Sequence, residues 1–333
     1  MSRPNHPGFT LDGLEIDAAA VTEQIAGCIR DQVQKRLRRR GVVLGLSGGI
    51  DSSVVAALCV RALGPEHVFG LFTPEWDSDP DSLRLGRLVA EQLGMASALE
   101  DIGPILDAAG CYRRRDEFIR QVFPEYGPGY KSKIVLPNML TNPGYNVYSL
   151  VIQSPSGEQK RARLPLPLSL GIIAATNMKQ RTRKQIEYYH ADRLNYVVAG
   201  TPNLLEHDQG FFVKNGDGAA DIKPIAHLYK CQVYKLADYL GVPAEIRGRP
   251  STTDTYSLEQ SQEEFFFSLP LHKLDRCLYA FNHDVPAEAA APVIGLTAGE
   301  VWRVYKDIQA KRRNAHYLHQ APLLVEPAAD AAA

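Results

Sequence analysis

Ser47-Gly48-Gly49-Ile50-Asp51-Ser52-Ser53 places two glycines, three hydroxyls and a carboxylate within seven positions. Glycines let the backbone approach a ligand with no Cβ in the way. The N–H groups of such a turn converge on an anion, and a helix starting there adds a favourable dipole. The chemistry this suits is phosphate binding. The common phosphate loop closes on Gly-Lys-Ser/Thr, whereas this stretch has no lysine and carries Asp51 among its donors. A carboxylate beside a phosphate makes sense with a divalent cation between them, so Asp51 is a candidate magnesium ligand.

Such a turn needs a strand before it and a helix after it. Val42, Val43, Leu44 and Leu46 form an apolar run that reads as a buried strand, and a helix is expected from Asp51 to Leu63. His67 to Phe72 reads as a second strand, Asp81 to Leu93 as a helix, and Ser97 to Ile102 as a third strand. This alternation predicts a parallel sheet with right-handed crossovers. Binding residues then belong at the C-terminal ends of strands, where the Ser47 loop and Thr73 to Asp79 both lie. Ahead of the sheet, Val21, Ile25, Ile29, Val33 and Leu37 make one stripe on a helix from Asp17 to Arg39, with a basic end that reads as solvated.

From about Cys111 to Pro167 the alternation breaks. A basic helix (Arg113, Arg114, Arg115), a Tyr126-Gly127-Pro128-Gly129 loop and Pro143-Gly144 precede a hairpin, Asn146 to Gln153 and Gln159 to Leu164. This is expected to be an insertion on the core. A long helix from Leu168 to Leu194, a strand from Tyr196 to Ala199 and a glycine-rich loop from Glu206 to Asp221 follow. Later helices are expected at Leu228 to Leu240, Leu271 to Phe281 and Thr297 to Ile308, with a disordered tail at 326–333. The fold class is α/β: a doubly wound, mostly parallel sheet with flanking helices, Rossmann-like, with a β-hairpin-containing insertion, in a single domain over residues 1–325.

A chain of 333 residues with net charge −1 gives no electrostatic case for nucleic acid or an anionic membrane as its main partner. Cys28, Cys59, Cys111, Cys231 and Cys277 are scattered, with no metal-ligand spacing, and read as reduced thiols of a cytoplasmic protein. The N-terminus lacks the apolar core of a signal peptide, and no stretch is long and apolar enough to span a bilayer.

The string Ser47 to Ser53 resembles the pyrophosphate loop of the N-type ATP pyrophosphatases, which cleave ATP between its α and β phosphates. Further strings resemble one family among them, the ammonia-dependent NAD synthetases. They are Asn177-Met178-Lys179-Gln180-Arg181-Thr182-Arg183, Ala199-Gly200-Thr201 through Glu206, Gly210-Phe211-Phe212-Val213-Lys214-Asn215-Gly216-Asp217-Gly218-Ala219-Ala220-Asp221, and Leu228-Tyr229-Lys230. The resemblance covers about residues 17–105 and 168–280 and implies an adenine nucleotide alpha hydrolase-like fold. It implies ATP binding by Leu46, Ser47, Gly48, Gly49, Ile50, Asp51, Ser52, Ser53, Thr201, Lys230 and Ser251. It further implies magnesium held by Asp51 and Glu206, with Asp51, Glu206 and Lys214 catalytic, and substrate contacts from Asn177, Arg181, Arg183, Lys214, Asp217 and Asp221. Lys230 is also out of place by local rules, a cation early in a helix.

By the same resemblance, the carboxylate of deamido-NAD attacks ATP, pyrophosphate leaves, and ammonia displaces AMP to give NAD. ATP is the co-substrate and Mg2+ the cofactor. A homodimer is implied, with free ammonia or a separate glutaminase as nitrogen source. Departures fall on the acid side: in Pro250-Ser251-Thr252-Thr253-Asp254 either the spacing is one residue longer than the family's pattern or Asp254 is not the equivalent residue, and Ala226-His227 replaces Gly-Asp. A member amidating a different carboxylic acid is therefore an alternative reading. A nucleotide-binding regulator is a second, against which stands the presence of Asp51, Glu206 and Lys214. A sulfur-transferring tRNA enzyme would need paired cysteines or a basic face, and neither is evident.

Overall fold

The computed structural model describes residues 8–140, 147–253 and 255–325. Pro143-Gly144, the first residue of the expected hairpin, Asp254 and the tail from Glu326 lie outside the described residues. Strands β1 (Val42–Gly45), β2 (Val68–Phe72) and β3 (Ala96–Leu99) are parallel, linked through helices α2 (Ile50–Leu63) and α3 (Pro80–Leu93). Strand β7 (Val197–Val198) joins the other side of β1, with Val42 facing Val197. The order β3-β2-β1-β7 therefore reverses direction of growth at β1. Crevices for ligands open at such a reversal, beyond the C-terminal ends of the strands.

Apolar residues on both faces of this short sheet explain its central position. Val42, Leu44 and Val197 pack with Ile25 and Ile29 of α1 (Ala18–Arg30) and with Val54 and Leu58 of α2. Val43, Leu71 and Val198 point the other way, against Ala191 and Ile186. Those two belong to the long helix that leads into β7. Each fully buried Val or Leu contributes roughly 1.5–3 kcal/mol relative to exposure. The doubly wound expectation holds. Helix α1 is shorter than expected, because after Arg30 the chain widens into a π turn, Asp31–Arg36. Lys35 and Arg36 there pair with Asp31 at the surface.

Helices α4 (Gly103–Ala108) and α5 (Cys111–Arg120) open the insertion. It holds a three-stranded antiparallel sheet, not a lone hairpin: β4 (Lys131–Val135), β5 (Ser149–Gln153) and β6 (Gln159–Arg163). The charged start of β4 hid it in the sequence. Ile134, Leu150 and Ile152 need cover, and they find it against Ile119, Tyr256 and Ile172 of α6 (Leu166–Leu194). Helices α7 (Leu204–Gln209), α8 (Lys230–Tyr239) and α9 (Ala244–Arg247) follow β7. Then come α10 (Leu271–Asn282), α11 (Ala287–Ile294), which was not anticipated, and α12 (Ala298–His319). The last three share an apolar cluster with Leu205 and Phe267. Among the described residues, no helix is long and apolar enough to cross a membrane.

Candidate functional site

The Ser47 loop leaves β1 and enters α2 at the reversal point. Gly49 is the N-cap of α2 in extended geometry, so the first N–H groups of α2 have no side-chain cap and remain available to an anion. Gly48 has φ +71°, and a Cβ there would lie 2.5 Å from the Ser82 carbonyl oxygen of α3. Of the three hydroxyls, Ser47 and Ser52 line the cavity and lie 3.2 Å apart. Ser53 does not line it: its hydroxyl is buried and donates to Gly49 O at 2.8 Å, a local helix bond. Ser53 therefore supports the loop without facing a ligand.

Asp51, one residue into α2, meets residues from two later elements, α7 and α8. Its carboxylate pairs with the Lys230 ammonium and accepts from Asn203 Nδ2 at 3.1 Å. Asn203 is the N-cap of α7 and forms a capping box with Glu206: Glu206 N donates to Asn203 Oδ1 at 3.2 Å, and Asn203 N donates to Glu206 Oε2 at 3.0 Å. Gln262 Nε2 donates to Glu206 Oε1 at 2.9 Å. One asparagine thus holds both carboxylates together. Burial first, then the negative charge of Asp51, push Glu206 well above the ordinary carboxylate range. Burial works to lower Lys230, but Asp51 and Glu206 overcome it and hold the ammonium above its ordinary value.

Lys230 starts α8, and Asp275 of α10 resolves that local inconsistency. Its carboxylate accepts from Lys230 N at 3.1 Å and from Cys231 N at 2.7 Å, placing negative charge at the helix start. Burial pushes Asp275 up to about 6 from its ordinary 3.8. The folded state therefore keeps this proton longer than the unfolded state, and the contribution of Asp275 to stability declines as pH rises between those two values. Asp275→Asn removes the buried charge. The difference in Tm between variant and wild type is expected to shift in the variant's favour between pH 4.5 and pH 7. Parallel curves from thermal melts at both pH values would contradict this.

A cavity of about 380 Å³ opens over these groups, lined by Ser47, Gly49, Asp51, Thr201, Glu206 and Ser251 on its polar side. Its other wall is apolar and aromatic, with Ile173, Phe211, Tyr148, Tyr256 and Phe265. A smaller cavity of about 150 Å³ sits over the ends of β1 and β2, lined by Leu46, Phe72, Thr73 and Arg183. Ser47, Gln180, Thr201, Asp217 and Thr253 line both, so the two adjoin.

Several expected residues lie elsewhere. Lys214 does not line either cavity; its Nζ donates to Tyr317 O at 2.9 Å and Gln320 O at 3.0 Å, at the end of α12. Arg181 Nε donates to Lys214 O, and exposed Asp221 accepts from Val198 N at 2.7 Å and from Tyr188 Oη. These three tie the signature loop to its neighbours. Asn177 and Asp217 do line the larger cavity, and Asp217 also accepts from Val213 N at 2.8 Å. Lys230 pairs with Asp51 and lines a further groove that shares Pro250 and Ser251 with the larger cavity. Among the described residues, no group of three or more His, Cys, Asp or Glu could hold a metal by itself.

Sequence reasoning missed Asn203, Gln262, Asp275 and Lys179. Asn203 was legible as Asn-x-x-Glu, the capping-box pattern. Asp275 and Gln262 were not, since they reach the site across 45 and 56 residues.

A family model described as NAD synthase matches residues 21–120 and 159–320. The unmatched stretch between them falls inside the insertion. A protein of Rhizobium meliloti (strain 1021) named NH(3)-dependent NAD(+) synthetase is 62% identical over 319 residues, covering 96% of this chain and 95% of its own. The structure of NH3-dependent NAD synthetase from Campylobacter jejuni in complex with the nitrate ion has a TM-score of 0.61 at 23% identity, covering 94% of this chain and 100% of that one. The structure of NMN synthetase from Francisella tularensis has a TM-score of 0.63 at 21% identity, covering 93% and 99%. The last two show a shared fold.

Proposed function

The chain belongs to the NAD synthase family, and we propose that its cleft at the β1–β7 reversal joins ammonia to the carboxylate of deamido-NAD, with ATP consumed to AMP and pyrophosphate. It is an ammonia-dependent NAD synthase, a ligase that forms a carbon–nitrogen bond. The observation that carries the reading is the convergence of the uncapped start of α2 with Asp51, Thr201 and Glu206 on one cavity.

The nucleoside lies over Leu46, Phe72 and Thr73, with Arg183 beside it. The triphosphate runs onto Ser47, Gly49 and the first N–H groups of α2. The acid enters along Asn177 and the aromatic wall. A carboxylate oxygen of the acid bonds to the α-phosphorus as the bond to the pyrophosphate oxygen breaks. Ammonia nitrogen then bonds to the acyl carbon, gives up a proton, and AMP departs with that carboxylate oxygen. The chain supplies positioning and charge neutralisation and needs no nucleophile of its own. Carboxylate labelled with oxygen-18 should therefore place one labelled atom in AMP, read by mass. Label appearing in pyrophosphate, or in neither product, would contradict an acyl-adenylate.

Magnesium is part of this reading. Asp51 and Glu206 bring two carboxyl groups against the ammonium of Lys230, and burial first, then the charge of Asp51, raises Glu206. Hard oxygen donors beside phosphate suit Mg2+, which when bound would neutralise phosphate charge. Two carboxylates alone are too few, so the ion belongs with ATP. Glu206→Gln is expected to lower pyrophosphate release about 10²-fold with the fold kept. Gln262 Oε1 is buried without a partner, so that amide can turn to accept from the new one. Turnover within twofold of wild type, over a magnesium titration, would remove Glu206 from the ion. A homodimer fits the exposed Leu166 and Leu170 at the start of α6, and a cytoplasmic setting fits five free cysteines.

A further inference from the structure

Behind the aromatic wall lies a charged cluster that the reaction above does not use. Lys179 of α6 is fully buried, and its Nζ reaches Glu75 Oε1 at 2.9 Å, Asp77 Oδ2 at 2.6 Å and Thr255 O at 2.7 Å. All three ammonium protons are thereby used. Glu75 also accepts from Tyr112 Oη at 2.8 Å and from Asp77 N at 3.0 Å, and Asp77 pairs with Arg115 of α5. Lys179 and Arg115 thus hold Asp77 below the usual carboxylate range, against the burial that would raise it. Lys179 and Arg115 face Glu75 and Asp77 in a mostly buried cluster, with Asp116 accepting from Arg115 Nε at 2.8 Å at its edge. Such a site is costly to build, and the chain neighbours of its members line both cavities.

What the cluster holds is specific. Glu75 and Asp77 follow β2, on the segment whose neighbours Thr73, Pro74, Ser78 and Asp79 line the smaller cavity. Thr255 belongs to the stretch whose members Pro250, Ser251, Thr252, Thr253 and Thr255 line the larger one. The near end of that stretch is tied to the same post-β2 segment, where Arg249 donates to Asp79 Oδ2 at 2.5 Å. That outer tie is half-exposed, whereas the Lys179 tie is not. Asn177 and Gln180, one turn or less from Lys179 on α6, face the cavity.

We infer that Lys179 is a positioning residue for the acid substrate: through Thr255 it fixes the wall made by Thr252, Thr253, Thr255 and Tyr256 relative to the nucleotide-binding segment after β2. This rests on the reading above, in which the acid occupies the larger cavity. Lys179 touches no substrate, and its effect reaches the acid through Thr255 and its neighbours. Loss of Lys179 should therefore weaken use of the acid more than use of ATP, because the segment after β2 keeps its ties to Tyr112 and Arg115 through Glu75 and Asp77, whereas the Thr255 wall loses its buried tie.

The test is K179M/E75Q, which removes one charge of each sign and leaves the Asp77–Arg115 pair. Steady-state KM for deamido-NAD and for ATP are measured beside Tm and beside wild type. The expected result is a folded protein whose KM for deamido-NAD rises at least tenfold while KM for ATP stays within twofold. Both KM values within twofold of wild type, or an equal rise in both, would overturn the inference. If K179M/E75Q does not fold, K179Q/E75Q returns a donor to the pocket, and the same ratio of KM values decides. Wild-type turnover of deamido-NAD in the same assay separates the two claims: its absence sinks the substrate reading, whereas its presence with an unmoved ratio sinks only the role of Lys179.

Discussion

Asp51→Asn is expected to slow pyrophosphate release by about 10²- to 10³-fold while the protein stays folded. Asparagine has nearly the same shape and keeps one oxygen for the Asn203 Nδ2 bond. It removes the negative charge that faces Lys230 at the start of α2, beside the N–H groups proposed to take phosphate. With that oxygen on Asn203, the new amide NH2 faces the Lys230 ammonium, donor against donor, and Lys230 is left buried without this partner. Orphaning one member of a buried pair generally costs about 3–5 kcal/mol, but Glu206 also acts on this ammonium and offsets part of that. Pyrophosphate release and the thermal unfolding of the same preparation read both effects. A variant that folds and releases pyrophosphate within threefold of wild type would take Asp51 out of the phosphate chemistry.

Gly48→Ala should damage both stability and turnover. At φ +71° any L side chain is strained, by roughly 1–2 kcal/mol for alanine. Here the added Cβ also meets backbone, the Ser82 carbonyl oxygen at 2.5 Å, with Leu85 Cβ at 3.0 Å. Neither is the far end of a flexible side chain, so the loop or the start of α3 must move. A displacement of about 1 Å at a reacting centre can cost about 10²-fold in rate. The expected outcome is a stability loss of about 3 kcal/mol and ATP turnover reduced by at least 10²-fold. Gly27→Ala is the control, since a Cβ there meets nothing within 4 Å. Equal behaviour of the two variants in melts and turnover would contradict the packing argument.

These two residues were legible from the chain alone because their chemistry is local. Strand, glycine turn and helix start lie within about twenty residues, and apolar runs mark the strands. The reversal of strand order at β1 followed from a fourth strand arriving after the long helix. Other parts of the site were out of reach of local pattern. Lys214 was expected at the reacting phosphate because of the string around it; its ammonium instead caps the last carbonyls of α12, a helix about a hundred residues later. Asp275 and Gln262 act through folding geometry that no spacing announces. Strand β4 begins Lys-Ser-Lys, and only its pairing with β5 makes it a strand. Nothing in the string Asn177 to Arg183 marks Lys179, since a lysine on a helix is ordinarily solvated. Its burial depends on Glu75, Asp77 and Thr255 meeting it from two distant segments.

The most direct measurement supplies ATP, magnesium and ammonium to the protein with and without deamido-NAD, and counts AMP, pyrophosphate and NAD in one reaction. The account predicts all three in equal amounts with deamido-NAD, and almost no AMP without it. Protein that binds ATP yet makes no NAD from deamido-NAD, while another carboxylic acid drives AMP and pyrophosphate release, would contradict it.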